Sequence, residues 1–216
     1  MCFSATASFT AGIVLLGAGF VAIKAARHPR ELPLASIPLL FSIQQLIEGV
    51  VWLTFSYEAP LLNAAMTHAY SFFSHVLWPV YVPMAVLLVE PPGWRRMTLW
   101  GLSAAGGAVA AYLMYMLVAF PVVSRATGQH VEYVSPHFFA AAVMSVYLLS
   151  TAMSPMVSTH RWVKVFGVLA LASFAAAYYF YARWFISGWC LFAAVLSLVL
   201  CAHLKSGTRR TIASAA

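Results

Sequence analysis

Long apolar runs alternate along the chain with short clusters of Arg, Lys, Pro and Gly. A helix needs about 20 apolar residues to cross a bilayer. Seven runs meet that length, at roughly residues 5–25, 34–56, 61–89, 97–120, 135–153, 162–182 and 184–204. The pattern predicts an all-α fold, a seven-transmembrane-helix bundle formed by one domain over residues 1–205. Residues 206–216 read as a flexible cytoplasmic tail. The connection from Pro121 to Pro136 carries Arg125, His130, Glu132 and Tyr133, and reads as a solvated loop in preference to an ordered lid.

Composition supports the membrane reading. The 216 residues are 63% hydrophobic and 8% charged, against about 25% charged in soluble domains, and the mean hydropathy is +0.87. A net charge of +7 would suggest nucleic acid in a soluble protein. Here the basic residues punctuate apolar spans, so no nucleic-acid partner is expected and the lipid bilayer is the first partner.

Ten of the twelve Lys and Arg follow the first, third, fifth and seventh runs, leaving only Arg125 and Arg183 opposite. The positive-inside rule makes the rich side cytoplasmic. The N-terminus is then outside and the C-terminus inside, which requires an odd number of spans. The expected location is a bacterial cytoplasmic (inner) membrane. No cleavable signal peptide is evident, because the first apolar run lacks a basic leader.

Small residues at Gly12, Gly17 and Gly19, and in the tract from Gly101 to Ala108, offer faces for close helix contact. Pro79 and Pro83 are expected to kink the third span.

Glu48 breaks the second run. A carboxylate at that depth costs roughly 2.5–3.5 kcal/mol on insertion scales and usually has a partner and a job. Gln44 and Gln45 precede it by four and three residues, so Ser42, Gln45 and Glu48 fall close to one helical stripe. On the next span His68, Ser71 and His75 form another. Packing the stripes together would bring Glu48 to Ser71 or His75. Trp189 and Cys190 fall at similar depth on the last span, with Tyr112, Tyr115, Tyr147, Tyr178 and Tyr179 near midplane or just outside. These residues make one polar layer on the outer side.

A metal centre needs closer ligands than two histidines two turns apart. Glu48, Cys190 and one histidine, such as His75, form a conceivable three-ligand set, but no HxxxH, HExxH or CxxC spacing accompanies it. Cys2 would offer a thiol and an amine if Met1 were removed. The three cysteines fall at different depths, which argues against a disulfide framework. All three lysines lie at span ends and there is no aspartate, so a mid-membrane Schiff base and a histidine–aspartate hydrolase centre are set aside.

The opening Met1-Cys2-Phe3-Ser4-Ala5-Thr6-Ala7-Ser8-Phe9 resembles the start of an uncharacterised family of bacterial multi-pass membrane proteins, a domain of unknown function. The likeness continues through Gln44, Gln45, Glu48 to Trp52, through Trp78-Pro79 with Pro83, and through Phe185 to Ser187 with Trp189-Cys190. The resemblance implies a bacterial source and adds weight to the N-terminal tail, Gln44, Gln45, Glu48 and Trp189-Cys190. It implies no activity, cofactor or partner.

The resulting expectation is an outward-opening intramembrane pocket centred on Glu48, used for small-ligand or proton-linked binding and transport. A membrane-embedded enzyme, metal-dependent or not, and an accessory subunit of a larger membrane complex stay open, as does a homo-oligomer.

Overall fold

The computed structural model describes residues 4–135, 140–181 and 185–201. The tail at 206–216 lies outside them. Among the described residues the chain forms α1 (Ala5–Ala25), α2 (Pro29–Ser56), α3 (Pro60–Val89), α4 (Trp94–Ala119), α5 (Ala141–Val157), α6 (Arg161–Tyr181) and α7, which begins as Phe185–Leu196 and extends to Cys201. Five of these helices, α1 to α4 and α6, are long and apolar enough to cross a membrane; α5 and α7 are apolar but shorter. This is a helical membrane protein. A hairpin of β1 (Val123–Thr127) and β2 (His130–Val134) joins α4 to α5.

Local sequence explains the helix ends. Ser4 caps α1 by accepting a hydrogen bond from the Ala7 amide at 3.2 Å. Pro29 and Pro33 fit the first turns of α2, where a missing N–H costs little. Glu90, just beyond α3, is buried and holds the α5–α6 turn. Its carboxylate accepts from Ser158 Oγ (2.9 Å), Thr159 Oγ1 (2.9 Å) and the Thr159 amide (3.0 Å).

The expected disturbance of α3 by its prolines takes the form of a wide π-helical stretch at Phe72–Leu77, just before Trp78-Pro79. A second, Leu149–Met153, precedes Pro155 in α5. In both, the proline ring would clash with the carbonyl four residues earlier and offers no N–H to it. Widening the preceding turn relieves that clash.

Close approach through glycine builds much of the packing. A Cβ on Gly12 or Gly19 would stand 2.8 Å from Leu46 or Leu39 of α2, and one on Gly106 would stand 1.9 Å from the Pro79 carbonyl of α3. Gly17, Gly101 and Gly107 face open space, so the two small-residue faces are used at only some of their positions. Ser42 Oγ adds a 2.7 Å hydrogen bond to the Gly12 carbonyl across the α1–α2 contact.

The solvated-loop reading of the Pro121–Pro136 connection is corrected. The hairpin is ordered, with Val123 opposite Val134 and Thr127 opposite His130 around a turn in which Gly128 takes φ +61°. Its buried face carries Val131 and Tyr133. Tyr133 stacks on Tyr70 of α3, ring centroids 4.3 Å apart, and Thr67 of α3 donates to Ser124 of β1 at 2.8 Å. The hairpin thus closes one end of the bundle. Partial burial pulls the His130 imidazole below its ordinary value.

Candidate functional site

Glu48 lies in the middle of α2 and is fully buried. Its neighbours on the helix are also shielded, with Gln44 and Gln45 at 0% exposure. Ser187, near the start of α7, donates to Glu48 Oε1 at 2.7 Å. Gln44, one turn earlier on the same face, accepts from the Trp78 indole of α3 at 2.8 Å. The amide nitrogen of Gln44 is also buried. It and the Tyr70 side chain lie against the Cys190 thiol of α7, which also feels the charge of Glu48. Helices α2, α3 and α7 therefore deliver Glu48, Gln44, Tyr70, Ser187 and Cys190 to one enclosed polar cluster.

Aromatic rings wall this cluster. Phe41 stacks on Trp78 at 3.9 Å between centroids, and Tyr147 meets Trp189 edge-on at 5.7 Å. On its other side Cys190 borders a small apolar cavity of about 30 Å³, shared with Trp78, Tyr147 and Trp189. Tyr70, beneath Tyr133 of the hairpin, stands between Cys190 and the closed end of the bundle. Low dielectric around such groups strengthens each hydrogen bond and raises the cost of each one missing.

The residues expected to accompany Glu48 separate into those that join it and those that do not. Gln44 and Cys190 join. Gln45 is buried beside them in sequence. Ser42 is instead spent on α1. Trp189 is buried, but its indole donates to the Ala170 carbonyl of α6 at 3.2 Å, so it packs and braces. His68 hydrogen-bonds the carbonyl of Ala64 on its own helix at 2.8 Å. Ser71 is fully buried, and its hydroxyl finds no hydrogen-bond partner among the described residues.

His75 turns elsewhere. Its Nδ1 meets Ser74 Oγ at 2.7 Å and its Nε2 meets Ser135 Oγ, just after β2, at 3.0 Å. The expected stripe of His68, Ser71 and His75 assumed 3.6 residues per turn, and the wide turn at Phe72–Leu77 shifts that register. Tyr147 also differs from its companions: it is buried and donates to the Ser74 carbonyl. Tyr112, Tyr115, Tyr178 and Tyr179 are exposed on the bundle's outside, so they do not belong to the polar layer.

His75, the histidine of the conceivable three-ligand set, does not reach Glu48 and Cys190. Among the described residues no three His, Cys, Asp or Glu side chains come together to hold an ion. Cys2 lies outside the described residues. Among the described residues Cys190 and Cys201 form no disulfide.

Tyr70 and Ser187 are absent from the expected set. Thr67, Tyr70, Ser71 and Ser74 are all buried and recur every three or four residues, which is the signal for that face of α3. Tyr70 hides in it because an aromatic in an apolar run reads as packing.

The whole chain, residues 1–216, matches the model for a family of unknown function, DUF6629. The chain belongs to that family. No curated protein and no solved structure matches it. Membership accords with the resemblance of the opening residues, and it assigns no chemistry to the cluster around Glu48.

Proposed function

We propose that this member of the family is a seven-span protein of a bacterial cytoplasmic membrane, N-terminus outside, which binds a small polar ligand at Glu48 and couples that binding to proton uptake or release. Transport across the membrane is the use that fits best. The observation that carries the reading is the buried combination of a carboxylate and an amide whose partner is a thiol. Glu48 is at 0% exposure with Ser187 donating to it, while Gln44 Nε2 is buried against the Cys190 thiol. A thiol sulfur is a weak acceptor, so a buried amide held against one marks a place where a ligand or water completes the pairing.

The ligand chemistry follows from the donor set. Glu48 accepts, so it favours a cationic or donor group; the Gln44 amide, paired only with a weakly accepting thiol, favours an acceptor on the same molecule. A small amine or amino acid meets both demands. The hairpin stacked over Tyr70 makes the site enclosed in this conformation, so access from outside requires the hairpin end to open. The absence of a three-ligand metal group among the described residues gives the metal-enzyme reading no support.

Proteoliposomes holding a pH-sensitive dye provide the test. An imposed gradient of a transported amine or amino acid should change internal pH with the wild-type protein and not with Glu48→Gln, which keeps the shape of the side chain and removes its proton. Equal proton movement with both proteins would overturn the proton-coupled reading.

A further inference from the structure

A second cavity, of about 260 Å³, opens beside the hairpin between α3 and the C-terminal turn of α4. It is separate in its lining from the Glu48 cluster. Of the nine described residues that line it, seven are apolar and the other two are His75 and Ser135. His75 and Leu113 are nearly inaccessible, at 2% and 1%, whereas Phe120 and Val134 are exposed at 46% and 37%. The cavity therefore has a buried floor carrying the imidazole and an apolar mouth at the surface.

We propose that this cavity is a binding site for a small uncharged molecule with an apolar ring or short-chain body and a single hydroxyl or carbonyl oxygen, drawn from the membrane. Three features specify that class. The volume lies just under the range of about 300–1,000 Å³ typical for drug-sized ligands, so the occupant is smaller. Among the described residues the lining holds no Lys, Arg, Asp or Glu, so an ion entering it would lose its hydration without gaining a counter-charge from them. Among the described residues the polar handle is the His75–Ser135 pair, 3.0 Å apart. Ser135 Oγ has one proton and two lone pairs, so it can hold His75 and meet one ligand oxygen together. The imidazole is braced from behind by Ser74 Oγ at 2.7 Å, which fixes the ring plane. A site of this build recognises an oxygen at its floor and an apolar body along Leu117 and Val122.

Cyclohexanol is a suitable probe, with methylcyclohexane, cyclohexanecarboxylate and cyclohexylamine as its comparisons. Binding is read from the ring resonances of labelled histidine in the detergent-solubilised full chain, with His75 assigned by its loss in His75→Gln. Cyclohexanol should shift the His75 resonance saturably. Ser135→Ala should weaken it about tenfold, the factor that ~1.4 kcal/mol for one hydrogen bond gives. Val122→Trp should abolish it by filling the cavity, and an unchanged melting temperature shows that this variant folds. Glu48→Gln should bind cyclohexanol as the wild type does, which separates this site from the one proposed above. Equal binding of methylcyclohexane would reduce the site to a bare apolar cavity and overturn the proposal. Tighter binding of either charged probe, or no saturable shift with cyclohexanol, would overturn it too.

Discussion

The side chains at the centre of this bundle illustrate how much one hydrogen bond matters where water is excluded. Ser187 Oγ stands 2.7 Å from Glu48 Oε1 with both groups buried. Removing it leaves an oxygen of a buried carboxyl short of a donor, which costs about 1–3 kcal/mol. Ser187→Ala should therefore lower the melting temperature clearly, by the amount such a loss implies. Ser145→Ala is the control, because Ser145 is exposed and bonds only its own helix; surface changes of that kind fall within about 0.5 kcal/mol. Equal melting for both variants would mean that the Ser187–Glu48 contact is not formed in the membrane. Glu48 itself was legible in the sequence, because a carboxylate inside an apolar run has no cheap explanation. Ser187 was not singled out, since a lone serine in a span is ordinary.

At the scale of elements, helix positions were readable and helix faces were not. The seven apolar runs correspond closely to α1 to α7, because length and hydropathy decide where a helix can form. Facing depends on local winding, and the wide turn before Pro79 moved His75 out of register with His68 and Ser71. The hairpin had a readable signal that composition concealed: His130 to Tyr133 alternates polar and apolar residues after a glycine turn, the period of a strand. That alternation buries Val131 and Tyr133 and lays Tyr133 on Tyr70, next to Cys190. The arrangement predicts that the hairpin limits access to Cys190. In a Cys2→Ser, Cys201→Ser background, Tyr133→Ala should raise the rate of Cys190 labelling by a small maleimide about tenfold or more, since ~1.4 kcal/mol of lost closure suffices for that factor. An unchanged rate would show that the hairpin does not guard the cluster.

Across the whole molecule, five helices satisfy the length and hydropathy of a span outright, and two shorter ones complete the bundle. The short pair, α5 and α7, owe their place to packing: α5 gives Tyr147 to the core and α7 gives Ser187, Trp189 and Cys190. A seven-span topology with the basic clusters inside predicts that a reporter fused after residue 207 reads cytoplasmic and one inserted at Gly128, the hairpin tip, reads external. The opposite signals would invert the orientation and, with it, the side from which the hairpin closes the bundle. Belonging to a family of unknown function, the chain has its chemistry to show through its own buried groups.

The most direct test of the Glu48 site is the melting temperature of purified wild type and Glu48→Gln across a panel of small amines and amino acids. A ligand held by the native state alone stabilises it by about 2.7 kcal/mol at a hundredfold excess over Kd. At least one compound should raise the melting temperature of the wild type and leave that of Glu48→Gln unmoved, with both proteins melting alike in its absence. Equal stabilisation of both proteins, or no stabilisation of the wild type by any member of the panel, would contradict a binding site centred on Glu48.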